Sequence, residues 1–382
     1  MIQMKKKKTL FFILVNFVCS FIYGQTISEL YNDKNFQAVV KFEKNAGRLS
    51  PEELYMVGFA FFQLENDNKA IEFYDKAISR GLDSAYVHYD KGLSLRYAKR
   101  FDEAIKEFDI AIKKAPSNQM YMSEKGFAYY YSGQMDKALS VFLEAQSLPN
   151  DFQAPFYMVG HIYHIKNEFN KALEEFYNAL KHISKDNTYY LSTLTDVGQL
   201  EYTVTKDFEK SAKAYEEAIS ITPQNYKLYP KLIKAYNAGK QHTNADRIFG
   251  LMKIAFERNE LAEEEMEFKN IAIDEYEWEG QKITVYKYLI DPQKSLDISY
   301  KVYLLTKAGD KIERTFMVEQ TVQNQDNVKH LLCEQDKKTG RHITYPYGWK
   351  TDDIPLDDLK KAVGLVLDGK MKQGASSNFR EK

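Results

Sequence analysis

Residues 85–118 read AYVHYDKGLSLRYAKRFDEAIKEFDIAIKKAPSN, and the neighbouring segments repeat this pattern at a fixed distance. The glycines at its core, Gly58, Gly92, Gly126 and Gly160, are equally spaced. Each glycine is followed at two fixed distances by an alanine, with an aromatic residue between the two alanines. Self-similarity at a period of about 34 residues is the signature of a solenoid built from repeated structural units.

The spacing within each unit predicts a pair of helices. In the first helix, the glycine and the large apolar residue three positions later share one face. In the second helix, the alanines and the aromatic fall at i, i+4 and i+7, which is again one face. Glycine inside a helix costs about 1 kcal/mol relative to alanine. Its repetition therefore indicates that the two helices cross closely at the glycine, with the aromatic side chain in the groove beside it.

This pattern resembles the tetratricopeptide repeat family in its length, in the small residues at the helix crossings and in a proline near the unit end, such as Pro116. The resemblance is good over 51–225, although the spacing slips once, because Gly198 follows Gly160 at more than one full period. The family implies a right-handed superhelix of antiparallel helix pairs. Its concave face generally binds peptide segments or other proteins, and few members are enzymes.

The resemblance also implies which residues face the groove, namely those three before, one after and four after the small residue of each unit. In this chain these positions and their neighbours are mostly aromatic, and rigid rings with a polar tip are favoured in binding sites. The predicted partner-binding residues are Tyr55, Phe59, Phe62, Tyr89, Arg96, Tyr97, Phe127, Tyr130, Tyr131, Tyr157, His161, His164 and Tyr202. The alternative is that these rings are buried against the next unit, above all Phe59 and Phe127. The best-known groove of the family holds a C-terminal carboxylate with lysines and asparagines, and these residue types are absent from the groove positions of this chain.

From residue 270 onwards the apolar period changes from helical to two, as in Tyr300, Val302 and Leu304. Short runs of this kind joined by turns predict about six antiparallel strands, covered on one side by a final helix. The predicted fold class is a multidomain chain, an all-α superhelical solenoid followed by a small α+β domain of no recognised family. The predicted organisation is a signal peptide at 1–24, a repeat domain at 25–258, an acidic helix end or linker at 259–268, the α+β domain at 269–368 and a disordered tail at 369–382.

The first residues have the composition of an export signal. Lys5–Lys8 form a basic region, and the apolar run Leu10–Tyr23 is shorter than the ~20 residues that span a bilayer. We expect a secretory signal peptide cleaved after Gly24, with an uncleaved membrane anchor as the alternative. Cleavage changes the formal net charge from −1 to −5 and places the chain in the periplasm or at the cell surface. An acidic chain lacks the basic face that nucleic-acid binding needs.

The sequence predicts no catalytic residue, cofactor or metal. A Gly-rich phosphate loop, HExxH and Gly-x-Ser-x-Gly are all absent from the sequence. His161 and His164 share a helix face but have no third ligand at a matching spacing. Glu275, Glu277 and Glu279 lie on one side of a predicted strand and could together bind calcium, although a charged strand edge that faces water is the favoured interpretation. The aromatic stretch 345–349 either binds a ligand or fills the gap between the last strand and the helix.

The predicted function is that of an exported scaffold that binds a peptide or partner protein in an aromatic concave groove. One alternative is an enzyme with its site in the α+β domain, to which the repeats recruit substrate. Another is a purely structural spacer. The sequence leaves the partner and the oligomeric state open.

Overall fold

A computed structural model describes residues 26–149, 152–261, 270–289, 298–305, 311–324, 327–350 and 354–372. The predicted signal peptide, most of the acidic stretch and most of the predicted tail lie outside these described residues. The chain divides into two compact units, Met1–Ser184 and Lys185–Lys382. This division lies inside the helical repeats, so the last helix pairs belong to the same unit as the sheet, and the predicted domain boundaries remain a prediction.

The described part of the first unit consists of short helices followed by regular helix pairs. Its elements are α1 Ile27–Asn32, α2 Phe36–Val39, a 3-10 helix Val40–Arg48, α3 Pro51–Gln63, α4 Asp67–Ser79, α5 Ala85–Tyr97, α6 Phe101–Lys114, α7 Gln119–Tyr131, α8 Met135–Gln146, α9 Ala154–Ile165 and α10 Phe169–His182. The first full pair begins with a capping box. Ser50 Oγ accepts the Glu53 N–H at 3.1 Å, and the Glu53 carboxylate accepts the Ser50 N–H at 2.8 Å. Pro51, which has no N–H to satisfy, then starts the helix.

The helices cross closely at the glycines, as the sequence predicts. A Cβ added at Gly92 would lie 2.6 Å from the Phe108 ring, and one added at Gly160 would lie 2.6 Å from the Phe176 ring. Both rings are fully buried. The close approach confirms that the recurring glycine is a packing requirement of the helix pair.

Each first helix ends in a left-handed backbone turn that recurs with the period of the glycines. The turn lets the second helix fold back antiparallel to the first. The residues at this position are Glu65, Lys99, Gly133 and Asn167, with φ of 59°, 60°, 78° and 59°. Only the glycine avoids the strain that a Cβ causes in this region.

The second unit continues the repeats with one irregularity. Its helical elements are α11 Thr188–Leu200, a π-helical turn Glu201–Thr205, α12 Phe208–Ile221, a 3-10 helix Tyr226–Leu228, α13 Tyr229–Ala238 and α14 His242–Glu257. The left-handed residue here is Lys206, eight residues after Gly198 instead of seven. The π-helical turn therefore holds the one residue by which this first helix exceeds the others.

A six-stranded antiparallel sheet follows, in the order β1-β2-β3-β4-β5-β6. The strands and the final helix are β1 Asn270–Trp278, β2 Gln281–Tyr288, β3 Ile298–Leu305, β4 Ile312–Asn324, β5 Asn327–Gln335, β6 His342–Trp349 and α15 Leu356–Leu367. Buried residues such as Val285 and Phe316 in the sheet and Leu359 and Val363 on α15 make up an apolar core. The predicted fold class, a helical solenoid followed by an α+β region, is confirmed.

Helix α13 is fastened to the first strand. Ile273 lies at a β-bulge, outside the β1–β2 register. Its carbonyl instead accepts a hydrogen bond from Asn237 Nδ2 at 2.8 Å. Beside it, Lys234 Nζ lies 3.1 Å from the Glu275 carboxylate. The bulge thus exposes a carbonyl that a helix side chain takes up.

Candidate functional site

Twelve of the thirteen predicted groove residues lie in the first unit, on the first helices α3, α5, α7 and α9. Most of them form a continuous series of side-chain contacts, which we call the aromatic stripe. The aromatic stripe consists of Tyr55, Phe59, Phe62, Tyr97, Arg96, Tyr131, Tyr130, His161 and Tyr157.

The aromatic stripe begins on α3 and passes to α5. The ring centroids of Tyr55 and Phe59 are 6.2 Å apart, and those of Phe59 and Phe62 are 6.3 Å apart. Phe62 then contacts Tyr97 on the next first helix, at 5.8 Å. Rings one helical turn apart face the same side, which is why the repeat register aligns them.

Arg96 stands at the centre of the aromatic stripe, between two exposed tyrosines. Its guanidinium carbon lies 4.5 Å from the Tyr97 centroid and 5.7 Å from the Tyr131 centroid, within the range of cation–π attraction. Below the rings, Arg96 Nη2 lies 3.1 Å from Glu124 Oε2, and both side chains are close to buried. This contact is ionic rather than a well-directed hydrogen bond, since Glu124 Oε2 has no hydrogen-bond partner among the described residues. Burial raises the pKa of Glu124, although Arg96 acts in the opposite direction.

The far end of the aromatic stripe joins α7 to α9 through polar contacts. The Tyr130 hydroxyl oxygen lies 3.1 Å from His161 Nε2. The rings of Tyr157 and His161 stack, with centroids 5.4 Å apart. These contacts engage His161 within the helix layer and favour a structural role for it.

Exposure separates the surface residues from those that support them. Tyr97 is 56% exposed and Tyr131 is 55% exposed, whereas Phe127 is buried against Phe142. Two exposed residues were missed by the sequence reasoning, Tyr86 at 41% and Ile165 at 44%. Ile165 occupies the position of Tyr131 one unit later, so the repeat register could have found it. Tyr86 stacks edge-on against Tyr55, with ring centroids 5.0 Å apart.

The remaining predicted residues are placed as follows. Tyr89 packs on Tyr121 with ring centroids 4.7 Å apart, and His164 contacts Phe169 at 5.7 Å. Tyr202 lies in the second unit, on the π-helical turn, where its ring contacts Phe208 at 5.5 Å.

Other candidate sites in the described residues are occupied by internal contacts. Glu275 pairs with Lys234 and Lys282, and no group of three described His, Cys, Asp or Glu side chains could hold a metal ion. In the stretch 345–349, which forms part of β6, the Tyr347 hydroxyl and Trp349 Nε1 each donate to the Asp358 carboxylate at 2.7 Å. These bonds tie the last strand to α15.

The second unit contains a pocket of about 260 Å³ between α13, α14, the sheet and the start of α15. Its polar groups contact one another. His242 Nδ1 lies 3.0 Å from Asn237 Oδ1, and Lys287 Nζ lies 3.7 Å from Asp246. Lys287 also lies over the Phe249 ring, 5.0 Å from its centroid. Nothing in these described contacts favours the enzyme alternative.

Across the described residues, every helix is too short or too polar to cross a membrane. Family models of the tetratricopeptide repeat match residues 54–80, 89–152 and 200–225. The chain therefore contains tetratricopeptide repeats, and proteins built on them are generally protein-interaction scaffolds. A search of curated proteins gave no match.

Several solved structures are similar to the repeats at low sequence identity. One is the C-terminal part of a TPR repeat-containing protein from Cytophaga hutchinsonii, at 18% identity and a TM-score of 0.49, covering 59% of this chain and 92% of that one. Another is pilF of Pseudomonas aeruginosa, at 17% identity and 0.44, covering 54% and 91%. A third is YrrB, described as a TPR protein with an unusual peptide-binding site, at 18% and 0.38, covering 52% and 96%.

Proposed function

We propose that this repeat-containing chain is an exported scaffold that binds an extended peptide, or a peptide segment of a partner protein, across the aromatic stripe. The observation that carries the proposal is the pair of half-exposed tyrosines, Tyr97 and Tyr131, on either side of Arg96. A monomeric surface rarely leaves large rings exposed in a continuous series, and such patches usually mark interaction sites. The composition of residues 1–24 supports export to the periplasm or cell surface.

The chemistry of the aromatic stripe suits a peptide backbone more than a small molecule. Tyrosine offers apolar contact area at low entropic cost and a hydroxyl that bonds to main-chain groups. The charge within the aromatic stripe, Arg96, already pairs with Glu124 beneath it. The bound segment would therefore be held by ring contacts and hydroxyl bonds along several repeats.

The test is selection from a displayed library of random peptides, followed by affinity measurement with a selected peptide. The double variant Y97S/Y131S is expected to weaken binding by about 10-fold or more. Because both side chains are more than half exposed, their removal leaves the core intact. Tyr89, Tyr130 and Tyr157 are poorer choices, since each supports neighbouring rings or side chains.

The matched control is I110S/L143S, which removes two exposed apolar side chains, 37% and 40% exposed, from the second helices α6 and α8. This variant should bind as the wild type does. Unchanged affinity in a folded Y97S/Y131S protein, or an equal loss in I110S/L143S, would contradict the proposal.

A further inference from the structure

One buried carboxylate beside the aromatic stripe has no counter-ion in the described chain. Asp90 on α5 is only 9% exposed, and its Oδ2 accepts the Tyr55 hydroxyl at 2.7 Å. No described lysine, arginine or histidine forms an ion pair with it, and its pKa is governed by burial and by the Tyr55 hydrogen bond. A buried charge is normally paired, because desolvation without compensation is unfavourable.

The repeat register shows what is missing. Glu124 occupies the position of Asp90 one repeat later, and Arg96 supplies its counter-ion at 3.1 Å. One repeat before Arg96, Phe62 occupies the equivalent position. Glu124 is thus paired with a base from the preceding repeat, while Asp90 has a phenylalanine, Phe62, at the corresponding position of its own preceding repeat.

Tyrosine side chains surround this carboxylate on several elements. The Tyr74 ring packs on the Tyr55 ring, with centroids 5.7 Å apart, and burial followed by the charge of Asp90 raises the pKa of the Tyr74 and Tyr121 hydroxyls. The Tyr74 hydroxyl is fully buried and has no hydrogen-bond partner among the described residues. Tyr86, one helical turn before Asp90, is 41% exposed and stacks edge-on against Tyr55. An acid beneath aromatic rings is the arrangement that attracts a cation, through charge and through the ring faces.

We propose that Asp90 with Tyr55 and Tyr86 receives the ammonium or guanidinium group of a lysine or arginine in the bound segment. The inference rests on the proposed peptide-binding function and names the side chain that the groove selects. The incoming cation takes the place that Arg96 holds for Glu124. Its N–H groups donate to Asp90 Oδ1, to which no described group donates.

The test starts from peptides selected out of the random display library on the full chain. Selected peptides are expected to share one lysine or arginine, whose replacement by glutamine weakens binding to the wild type by about 10- to 100-fold. The variant D90N keeps the shape of the side chain and the acceptor for Tyr55. It should bind the basic peptide more weakly than the wild type does, by the same factor. Its affinity for the glutamine peptide should equal that of the wild type. D102N, at an exposed position on α6, is the control and should bind as the wild type does.

A second variant rebuilds the internal pair. F62R places an arginine one repeat before Arg96, at the equivalent position, so its guanidinium should fill the cation site. The variant should therefore lose more affinity for the basic peptide than for the glutamine peptide. If selected peptides bind through Tyr97 and Tyr131 but carry no shared basic residue, or if D90N leaves their affinity unchanged, the cation site is overturned and the groove proposal stands. If no peptide is selected, or if Y97S/Y131S binds normally, both proposals are overturned.

Discussion

Replacing Asp90 by asparagine is expected to stabilise the repeats, although it removes a hydrogen-bonded carboxylate. Asparagine has nearly the same shape as aspartate. Its amide oxygen can still accept the hydrogen bond from the Tyr55 hydroxyl, which in the wild type lies 2.7 Å from Asp90 Oδ2. What the substitution removes is the charge. Burial, offset only in part by the Tyr55 hydrogen bond, raises the pKa of Asp90 to about 6. The other groups that interact with its charge, the phenols of Tyr31, Tyr74, Tyr89 and Tyr121, stay neutral at and below neutral pH, because burial raises their own pKa values.

The magnitude follows from the two pKa values. An ordinary aspartate titrates at 3.8, so the folded state holds the Asp90 proton more tightly than the unfolded state does. The wild type therefore loses stability relative to D90N as the pH rises from about 4 to about 6, and loses little more above that. One pKa unit corresponds to about 1.4 kcal/mol, which gives a difference of about 3 kcal/mol at pH 7 and about 0.5 kcal/mol at pH 4.

The assay is urea unfolding followed by far-UV circular dichroism, at pH 7 and pH 4, on the wild type, D90N and D102N. D102N removes an exposed carboxylate from the first turn of α6 and should change the free energy of unfolding by less than about 1 kcal/mol at either pH. A D90N gain that is the same at both pH values would show that the charge of Asp90 does not destabilise the wild type. So would a D90N protein that is less stable than the wild type at pH 7.

Three further predictions follow from the repeat geometry and the N-terminus. The free energy of unfolding of G160A in urea should be about 1–3 kcal/mol lower than that of the wild type, because the new Cβ would lie 2.6 Å from the buried Phe176 ring. By contrast, G250A on α14 has no atom within 4 Å of its new Cβ and should gain up to about 1 kcal/mol of helix propensity. K99G should gain about 1 kcal/mol in the same assay, since glycine adopts the left-handed turn without strain from a Cβ. Expression in a bacterium with an intact secretion system should yield a periplasmic or surface chain whose mass shows cleavage after Gly24.

Each of these outcomes has a clear opposite. Equal stability of G160A and G250A would show that the glycine crossing can relax around a methyl group. A destabilised K99G would show that a contact of the lysine outweighs the backbone strain. A mass that retains residues 1–24 in a membrane fraction would favour the uncleaved anchor over the signal peptide.

The repeat period alone was enough to predict the helix pairs, because the glycine crossings obey a strict steric rule. The contact of Gly92 with Phe108 could be placed from the spacing of the two residues. The left-handed turns repeat just as strictly, yet Glu65, Lys99 and Asn167 share no residue type, so composition does not reveal them. In the second unit the extra residue before Lys206 was visible as a slip in spacing, but its location in a π-helical turn depends on packing.

The candidate groove was predicted only in outline. The repeat register placed Tyr97 and Tyr131 on the correct helices, and their exposure agrees with a surface role. The same register also selected Phe127, which is buried, because the family pattern specifies a position and not its depth. The burial of Asp90 could not be predicted, since an acid within a tyrosine-rich helix reads as a solvated residue. Its depth depends on rings from α3, α4 and α7, which are distant in sequence.

The attachment of α13 to the bulged carbonyl of Ile273 has a consequence for how this chain behaves at high concentration. A six-stranded open sheet has two edges, and an unprotected edge invites a strand from another molecule to pair with it. At one edge, Asn237 occupies the Ile273 carbonyl and interrupts the row of free acceptors. At the other edge, strand β6 carries Pro346, which has no N–H to offer to an incoming strand. Each described border of the sheet thus has one position at which an incoming strand cannot form its ladder hydrogen bond, which disfavours pairing of the sheet with a second molecule.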